Sequence, residues 1–184
     1  MADQASPAAE ITAEELLHLH LPDKQVELVR GRLVVREPPG FRHGVVALTI
    51  ANRIAEFVRV NKLGVVVAAE TGFKLFSDPD TVRAADAAFI RRERIPDPQP
   101  LGYADLAPDL VVEVLSPSDR AGEILNKTGD WLSAGSRLVW VIDPSRRNAR
   151  VNRADGSESL LAEHDVLTGE DVLPGFSCSL AEVW

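Results

Sequence analysis

The sequence predicts a single α/β (α+β) domain in which a central mixed β-sheet is flanked by helices. Apolar residues recur at helical spacing over residues 43–61 and again over residues 118–134. Short apolar runs bounded by proline, glycine or aspartate lie between and after these segments, and such runs are typical of strands. The chain has 184 residues, of which 45% are hydrophobic and 26% charged, so it can enclose one complete core. We therefore expect one domain over residues 1–184.

The N-terminal part, residues 11–37, is predicted to be a short helix followed by a β-hairpin. Thr12 and Glu15 have the spacing of a capping box, which predicts the start of the helix, and Pro22 should end it. Apolar residues then alternate around Gly31-Arg32, and this pattern predicts a hairpin whose second strand ends before Pro38. The alternating residues are Val26, Leu28, Leu33 and Val35.

The predicted core, residues 43–143, begins with the helix over residues 43–61. Gly64 is suited to the turn that ends this helix, because glycine adopts the left-handed conformation without strain. Residues 65–68 and 73–76 are predicted to be strands. They can form a hairpin around Thr71-Gly72 or one bent strand.

Four further elements complete the core, and the chain then continues with residues 149–184. A strand is predicted over residues 81–91 and another over residues 109–115, between two prolines. A helix capped by Ser118 or Asp119 should end at Gly135, and a strand should follow over residues 137–143. The core order is thus helix, strand, strand, strand, helix, strand. Short strands are also predicted at 149–153, 160–161 and 172–176.

Single carboxylates lie within two of the predicted strands. Glu113 interrupts an apolar run, and burying an unpaired carboxylate costs on the order of several kcal/mol, so it should face a cation, a metal ion or a water-filled cleft. Asp86 lies between alanines in the strand before it. Either residue could instead face solvent at a sheet edge. If the two strands are neighbours, both acids can point into one cleft and hold a hard cation such as Mg²⁺.

Lys127 is a candidate third member of this site. The second long helix has an inward arc, at whose edge Lys127 lies beside Trp131. An ammonium held there could orient a water or stabilise charge on a phosphate. The alternative is a surface lysine whose stem packs along its helix.

Several segments form a joint pattern along the chain. They are VRAADAAFI at 82–90, APDLVVEVLSPSD at 107–119, Lys127, AG at 134–135 and VWVIDP at 139–144, together with VELVRG at 26–31, His43 and LPGF at 173–176. This pattern resembles the putative restriction endonuclease family of the PD-(D/E)XK nuclease superfamily, which has a restriction-endonuclease-like fold. The resemblance covers most of the chain.

The resemblance implies a divalent-metal nuclease that acts on DNA. Asp86 and Glu113 would be metal ligands, the backbone carbonyl of Val114 would add a third ligand, and Lys127 would serve the nucleophilic water. Mg²⁺ is the expected cofactor, and Mn²⁺ is an alternative.

Four other positions qualify this expectation. Ala85 stands where the superfamily has a proline, and Leu115 stands where it has a lysine, so Lys127 would have to supply the ammonium from the helix. His43 and Glu27 also match family positions and could border the site. His43 could instead be a polar residue of the first helical turn, and Glu27 could lie on the solvent side of the hairpin.

Three functions remain open from the sequence. The first is a metal-dependent endonuclease that hydrolyses DNA phosphodiester bonds. The second is a non-catalytic scaffold or interaction module that keeps the same fold; the acidic net charge and Leu115 favour it, whereas the presence of Asp86, Glu113 and Lys127 together disfavours it. The third is a metal hydrolase that acts on a small phosphorylated molecule.

The net charge of −8 at pH 7 weighs against a nucleic-acid partner, because phosphate binding depends on Lys and Arg. All 20 Lys and Arg lie at or before Arg153, and seven of the 28 acidic residues follow it, so residues 1–153 have a net charge of −1. Three basic clusters remain, and each is more typical of a solvated surface than of a phosphate track. They are Arg30, Arg32, Arg36 and Arg42; Arg91, Arg92 and Arg94; and Arg146, Arg147, Arg150 and Arg153.

The sequence also carries expectations about location and assembly. Cys178 is the one cysteine and cannot form an internal disulfide. The first ten residues lack the basic start and apolar centre of a signal peptide, and no apolar run approaches the roughly 20 residues that span a bilayer. We expect a cytoplasmic protein without a membrane partner, and a homodimer is compatible with the sequence.

Overall fold

The computed structural model describes residues 10–184 and confirms a mixed α/β fold with a central mixed sheet flanked by helices. Residues 1–9, on which the expectation about a signal peptide depends, lie outside the described residues. The helices are α1 (Ala13–His18), α2 (Phe41–Asn61) and α3 (Ala121–Ser133). The strands are β1 (Gln25–Val29), β2 (Arg32–Arg36), β3 (Gly64–Ala68), β4 (Gly72–Phe76), β5 (Thr81–Ala84), β6 (Ala87–Arg91), β7 (Leu110–Val114), β8 (Leu138–Asp143), β9 (Asn148–Arg153), β10 (Glu158–Leu161), β11 (Val166–Thr168) and β12 (Ser177–Ser179).

Two main sheets organise these strands. The larger has six strands in the order β10-β9-β8-β7-β6-β3, and the smaller has four in the order β2-β1-β5-β4. Strands β7 and β8 are parallel, and the other neighbours within each sheet are antiparallel. The connection between β7 and β8 contains α3, as expected for a parallel pair.

The capping box at α1 is present. The backbone N–H of Glu15 donates to Thr12 Oγ1 at 3.2 Å, and the backbone N–H of Thr12 donates to Glu15 Oε2 at 2.8 Å. The hairpin of β1 and β2 also forms, but its turn is one residue earlier than predicted, at Arg30-Gly31. Both residues have positive φ, 49° and 72°, which is typical of a type I′ hairpin turn.

The end of α2 differs from the prediction. Lys62, with φ 54°, takes the left-handed position, and Gly64 is already the first residue of β3. A Cβ atom at Gly64 would lie 2.0 Å from the carbonyl oxygen of Ile90 on the neighbouring strand. The glycine is therefore required by close backbone approach within the sheet and not by the helix end.

The predicted hairpin around Thr71-Gly72 is wrong, because β3 and β4 do not pair with each other. Strand β3 pairs with β6 in the six-stranded sheet, and β4 pairs with β5 in the four-stranded sheet. The alternative of one bent strand is closer to the structure. The predicted strand over residues 81–91 is likewise divided at Ala85 and Asp86 into β5 and β6. The four strands thus form one long antiparallel ribbon, which bends from one sheet into the other.

Strand β7 lies in the interior of the six-stranded sheet, between β6 and β8. Its residues Leu110, Val112 and Val114 pack with α2 on one face, whereas Val111 packs with Trp131 of α3 on the other. An edge position for Glu113 is therefore wrong, and this side chain is only 5% exposed.

The predicted cap of α3 is also wrong. The N-cap residue is Arg120, which makes no side-chain capping hydrogen bond, and the helix begins at Ala121. The carboxylate of Asp119 instead accepts from the backbone N–H of Ser116 at 2.7 Å and pairs with Arg36 at 2.8 Å. The end of α3 is as predicted, since Gly135 follows it with φ 110°.

The last part of the chain adds β9 and β10 at the predicted positions. The strand predicted at 172–176 is wrong: this segment consists of turns between β11 and β12. Its apolar side chains are buried for another reason, because Phe176 stacks on Trp140 of β8 with ring centroids 5.8 Å apart. Among residues 10–184, none of the helices is long and apolar enough to cross a membrane.

Candidate active site

A cleft of about 1060 Å³ lies between the β1–β2 hairpin, the bend at Asp86, the end of β7 and α3. The structure brings all the residues predicted for the site to this cleft. They are Glu27, His43, Asp86, Glu113, Val114 and Lys127.

Glu113 projects from β7 toward α3, and each of its carboxylate oxygens is bound by a different donor. Oε2 lies 2.9 Å from the ammonium of Lys127, and Oε1 accepts from the indole N–H of Trp131 at 2.7 Å. Burial raises the pKa of Glu113 to about 7, and the negative charges of Asp86 and Glu27 add to this effect, whereas Lys127 opposes it. The carboxylate is thus isolated from bulk water and held in a fixed orientation.

Lys127 is 9% exposed, and its ammonium points inward from α3. It contacts three acceptors: the carbonyl of Ala84 at 2.8 Å, Glu113 Oε2 at 2.9 Å and Glu27 Oε1 at 3.1 Å. An ammonium has three N–H donors, so this set can engage all of them. Burial alone would lower the pKa of Lys127, but the two carboxylates outweigh it and raise the pKa. The alternative of a surface lysine is therefore wrong.

Asp86 lies at the bend between β5 and β6, outside the regular strands. Its Oδ2 accepts from the backbone N–H of Val114 at 2.7 Å and lies 3.3 Å from Nε2 of His43, near the start of α2. Burial lowers the pKa of His43, but the hydrogen bond and charge of Asp86, together with the charge of Asp119 and the backbone of Val114, raise it overall. His43 is therefore a direct neighbour of the site.

Glu27 is 4% exposed, so the solvent-side alternative for this residue is wrong. Besides Lys127, it accepts from the backbone N–H of Ala84 at 2.9 Å and from the guanidinium of Arg83 at 3.0 Å. Burial raises the pKa of Glu27, but Lys127 and Arg83 outweigh this effect, and the net pKa is lowered. Glu27 is therefore an ionised carboxylate between two cations.

The sequence did not assign three residues to the site, namely Arg83, Asp130 and Trp131. Arg83 of β5 is 4% exposed and binds Asp130 of α3, with both Nε and one NH2 group donating to Oδ2 at 2.9 and 2.6 Å. Trp131 was predicted only as a core residue. A signal was present for Arg83, since it is a lone cation in the apolar run that holds Asp86. Asp130 follows Lys127 by three residues, so both lie on one face of α3.

The position of Leu115 explains how the site differs from the superfamily pattern. Leu115 is partly buried and packs against the core cluster that contains Trp131 and Val111. An apolar side chain thus occupies the position two residues after Glu113, and the ammonium beside Glu113 comes from α3.

The donor set of the cleft fits a hard divalent cation. Asp86 and Glu113 supply carboxylate oxygens and Val114 a backbone carbonyl, which are donors that Mg²⁺ and Mn²⁺ prefer. Among residues 10–184, no three His, Cys, Asp or Glu side chains are grouped as a metal site. Two carboxylates completed by water and phosphate are nevertheless the usual environment of Mg²⁺ in enzymes that act on phosphates.

The charge of the cleft supports the same fit. The network formed by the ion pairs of the cleft together with the adjacent Asp86 contains four carboxylates but only two permanently charged cations, so ionised carboxylates leave an excess of two negative charges when His43 is neutral. A divalent cation would compensate this excess. The network consists of Glu27, Asp86, Glu113, Asp130, Arg83 and Lys127.

Most arginines of the predicted basic clusters are paired with carboxylates. Within residues 10–184, Arg36, Arg91, Arg94, Arg146, Arg147, Arg150 and Arg153 form ion pairs, whereas Arg30, Arg32, Arg42 and Arg92 form none. The third cluster is entirely paired, which favours its interpretation as a solvated surface. Arg30 and Arg120 both line the cleft, and neither forms an ion pair within residues 10–184.

The chain is similar to known proteins both in sequence and in fold. The family model Uma2, described as "Putative restriction endonuclease", matches residues 13–181. A search of curated proteins gave no match. The fold is similar to that of a putative nuclease belonging to DUF820 from Anabaena variabilis ATCC 29413, with a TM-score of 0.82 and 18% sequence identity. The similarity covers 94% of this chain and 97% of the other. It confirms the predicted fold class.

Proposed function

The chain belongs to the putative restriction endonuclease family, and from this premise we propose that it is a divalent-metal-dependent endonuclease that hydrolyses phosphodiester bonds in DNA. One observation carries the proposal. The carboxylates of Asp86 and Glu113 and the ammonium of Lys127 meet in one cleft, although they come from a bend, a strand and a helix that are far apart in the chain. A scaffold that only needed the fold would not require these charges to be buried together, because their burial is costly.

Asp86 and Glu113, with the backbone carbonyl of Val114, would hold the metal ion. When bound, Mg²⁺ or Mn²⁺ would polarise the phosphate and lower the pKa of a bound water. Two contacts orient these ligands in advance: the backbone N–H of Val114 binds Asp86, and the indole of Trp131 binds Glu113. Such contacts around metal ligands reduce the reorganisation that binding requires.

Lys127 would act on the reacting groups. Its ammonium lies 2.9 Å from Glu113, so it would be beside a phosphate bound at the same carboxylate. There it would orient the attacking water and stabilise the negative charge that develops on the phosphate oxygens. Leu115 cannot take this role, because it carries no donor.

A second candidate function has one observation in its favour. The ammonium of Lys127 already has three acceptors, which is also the arrangement of a purely structural ion-pair network. The alternative is therefore a non-catalytic scaffold that retains the nuclease fold. Hydrolysis of a small phosphorylated molecule in the same cleft is a third outcome that the test must separate.

The test uses supercoiled plasmid DNA and a small phosphodiester, each incubated with and without Mg²⁺ or Mn²⁺. We expect plasmid nicking or linearisation by the wild-type protein only when metal is present, and none by Asp86→Ala. Hydrolysis of the small diester without plasmid cleavage would instead favour the third function. An inactive wild-type protein toward both substrates would favour the scaffold.

The proposal also includes expectations about the oligomeric state of the protein and its location in the cell. A homodimer would place two clefts on one DNA duplex, and light scattering of the purified protein measures whether it forms. A DNA substrate is also consistent with a cytoplasmic location, which fluorescence microscopy of the tagged protein would test.

A further inference from the structure

The neighbours of Lys127 form a ring that consists of three charged contacts and is closed by the backbone of α3. The ammonium lies 3.1 Å from Glu27 Oε1, and the other oxygen of Glu27 accepts from Arg83 at 3.0 Å. Arg83 then binds Asp130, which lies one turn after Lys127 on α3. The ring therefore starts and ends on α3, and it passes through β1 and β5 of the four-stranded sheet.

We propose that Arg83, together with Asp130, is a positioning residue for the reaction. It holds the carboxylate of Glu27, and through Glu27 it holds the ammonium of Lys127 beside Glu113. This inference rests on the proposed function, because it assumes that Lys127 acts on the reacting groups.

The first argument is the flexibility of lysine. A lysine ammonium is carried on a four-carbon stem, so its position depends on the acceptors around it. Lys127 has two carboxylate acceptors on different elements, Glu27 on β1 and Glu113 on β7. The balance between these two acceptors decides how close the ammonium lies to the proposed metal site.

Arg83 controls this balance by compensating Glu27. With Arg83 in place, the charge of Glu27 is shared between two cations. Without Arg83, the whole charge of a buried carboxylate would act on Lys127 and would draw its ammonium away from Glu113. Because Glu27 and Arg83 are each 4% exposed, bulk water cannot replace the missing partner.

The second argument concerns the shape of the guanidinium. Arg83 donates from NH1 to Glu27 and from Nε and NH2 to Asp130, so one rigid planar group joins two carboxylates. An ammonium has no comparable geometry. Arg83→Lys should therefore fail to restore the wild-type rate, although it keeps the charge.

Arg83 is too buried to contact a DNA strand, which separates positioning from substrate binding. We expect Arg83→Met to lower kcat on the order of 10- to 100-fold through displacement of the ammonium, while KM for DNA stays the same. Asp130→Asn should also lower kcat, but by a smaller factor, because it weakens the contact that holds Arg83 without removing Arg83.

A double-mutant cycle with Lys127→Met tests the inference. If Arg83 acts through Lys127, Arg83→Met and Asp130→Asn should lower kcat in the wild-type background and should have no further effect in the Lys127→Met background. A general structural role would lower kcat equally in both backgrounds. Asp109→Asn is the matched control, because it weakens a buried carboxylate–arginine contact with Arg94 that has no connection to the ring. It should lower the melting temperature without lowering kcat.

The possible results separate this inference from the proposed function. An inactive wild-type protein overturns both. An active wild-type protein with equal losses in the two backgrounds, or with an Arg83→Met variant at the wild-type rate, overturns only the role of Arg83. If Arg83→Met does not fold, the cycle with Asp130→Asn decides by the same criteria.

Discussion

At the scale of single residues, Glu113 and Lys127 are buried opposite charges that compensate each other. Each of them would be costly to bury alone, and removal of one partner from such a pair costs about 3–5 kcal/mol. The indole of Trp131 engages the oxygen of Glu113 that Lys127 does not bind. The pair can therefore remain charged in the interior while Glu113 keeps free lone pairs for a further ligand.

The first prediction separates metal binding from the action of Lys127. Lys127→Met should lower the single-turnover cleavage rate on the order of 10²- to 10³-fold, as expected for the loss of one preorganised charged group. Mg²⁺ should raise its melting temperature at least as much as that of the wild type, because Glu113 loses the cation that compensates it. Asp86→Ala should lose both cleavage and the metal-induced rise.

Single-turnover cleavage and thermal unfolding, with and without Mg²⁺, provide both measurements on the same variants. A Lys127→Met variant that cleaves at the wild-type rate would show that the site works without its ammonium. An equal metal-induced rise in Asp86→Ala would place the ion elsewhere.

Several site residues could be predicted from the sequence because a lone charge in an apolar strand requires a partner. This reason applies to Glu113. The same reasoning led to Asp86, although Asp86 lies at the bend between β5 and β6, and the structure brings both acids to one cleft with Lys127. The pairing of Arg83 with Asp130 could not be predicted, since it depends on how β5 and α3 approach each other. The spacing of residues along a helix or strand gives a direction for each side chain, but not the element that it will face.

At the scale of elements, α1 is anchored by a residue from a distant turn. The backbone N–H of Ala13 donates to Asp80 Oδ2 at 2.8 Å, and Lys74 lies 3.0 Å from the other oxygen. The hydrogen bond from Ala13 and the contact with Lys74 lower the pKa of Asp80. Asp80 thus links the β4–β5 turn to the first helix.

The second prediction follows from this lowered pKa. Asp80→Ala should reduce the free energy of unfolding at pH 7 by about 1 kcal/mol, which is typical of a lost acceptor at a helix N-terminus. Because the folded protein holds the proton of Asp80 less tightly than the unfolded chain, the stabilisation is complete above the unfolded pKa. It is lost as the pH falls through the lowered pKa.

Urea unfolding of the wild-type protein and of the variant at residue 80, at pH 7 and at about pH 3, measures the difference in their free energies of unfolding. This difference should be smaller at the lower pH. Glu14→Gln, in the first turn of α1, is the control for removing one charge near the helix, and it should have a much smaller effect. A difference that is independent of pH would contradict the role of the carboxylate.

Helices were predicted more accurately than strand partners. The capping box and the apolar stripe of α2 are local patterns, and both helices form where these patterns indicate. The division of residues 81–91 into β5 and β6 depends on contacts with two different sheets, so no local pattern marks it. The cap of α3 was wrong for the same reason, since Asp119 pairs with Arg36 from the distant hairpin.

At the scale of the whole molecule, the net charge of −8 is compatible with DNA binding only if local cations outweigh it. Arg30 and Arg120 line the cleft and have no ion pair within residues 10–184. Arg146 is exposed, but it lies 3.3 Å from Asp143. The two cleft arginines are therefore the better candidates for phosphate contacts.

The third prediction uses the salt dependence of DNA binding. Replacing Arg30 and Arg120 together by alanine should reduce the slope of log K against log salt by about 1 to 2, because each phosphate contact contributes about 0.9. Arg146→Ala is the control and should leave the slope unchanged. Fluorescence anisotropy with a labelled duplex, without divalent metal, gives the slopes. A larger change for Arg146→Ala would place the DNA at the turn between β8 and β9.

The bent ribbon formed by β3, β4, β5 and β6 has a mechanical consequence. It is the continuous connection between the two sheets, so any change in the angle between them turns about its bend. Displacement in a rotation grows with distance from the axis, and Asp86 lies on the bend itself. The carboxylate of Asp86 therefore lies close to the axis of such a rotation, whereas the outer walls of the cleft lie far from this axis. A rotation that widened the cleft would have to break the contacts of Lys127 with Glu27 and of Arg83 with Asp130, and it would change the distance from Asp86 to Glu113 least.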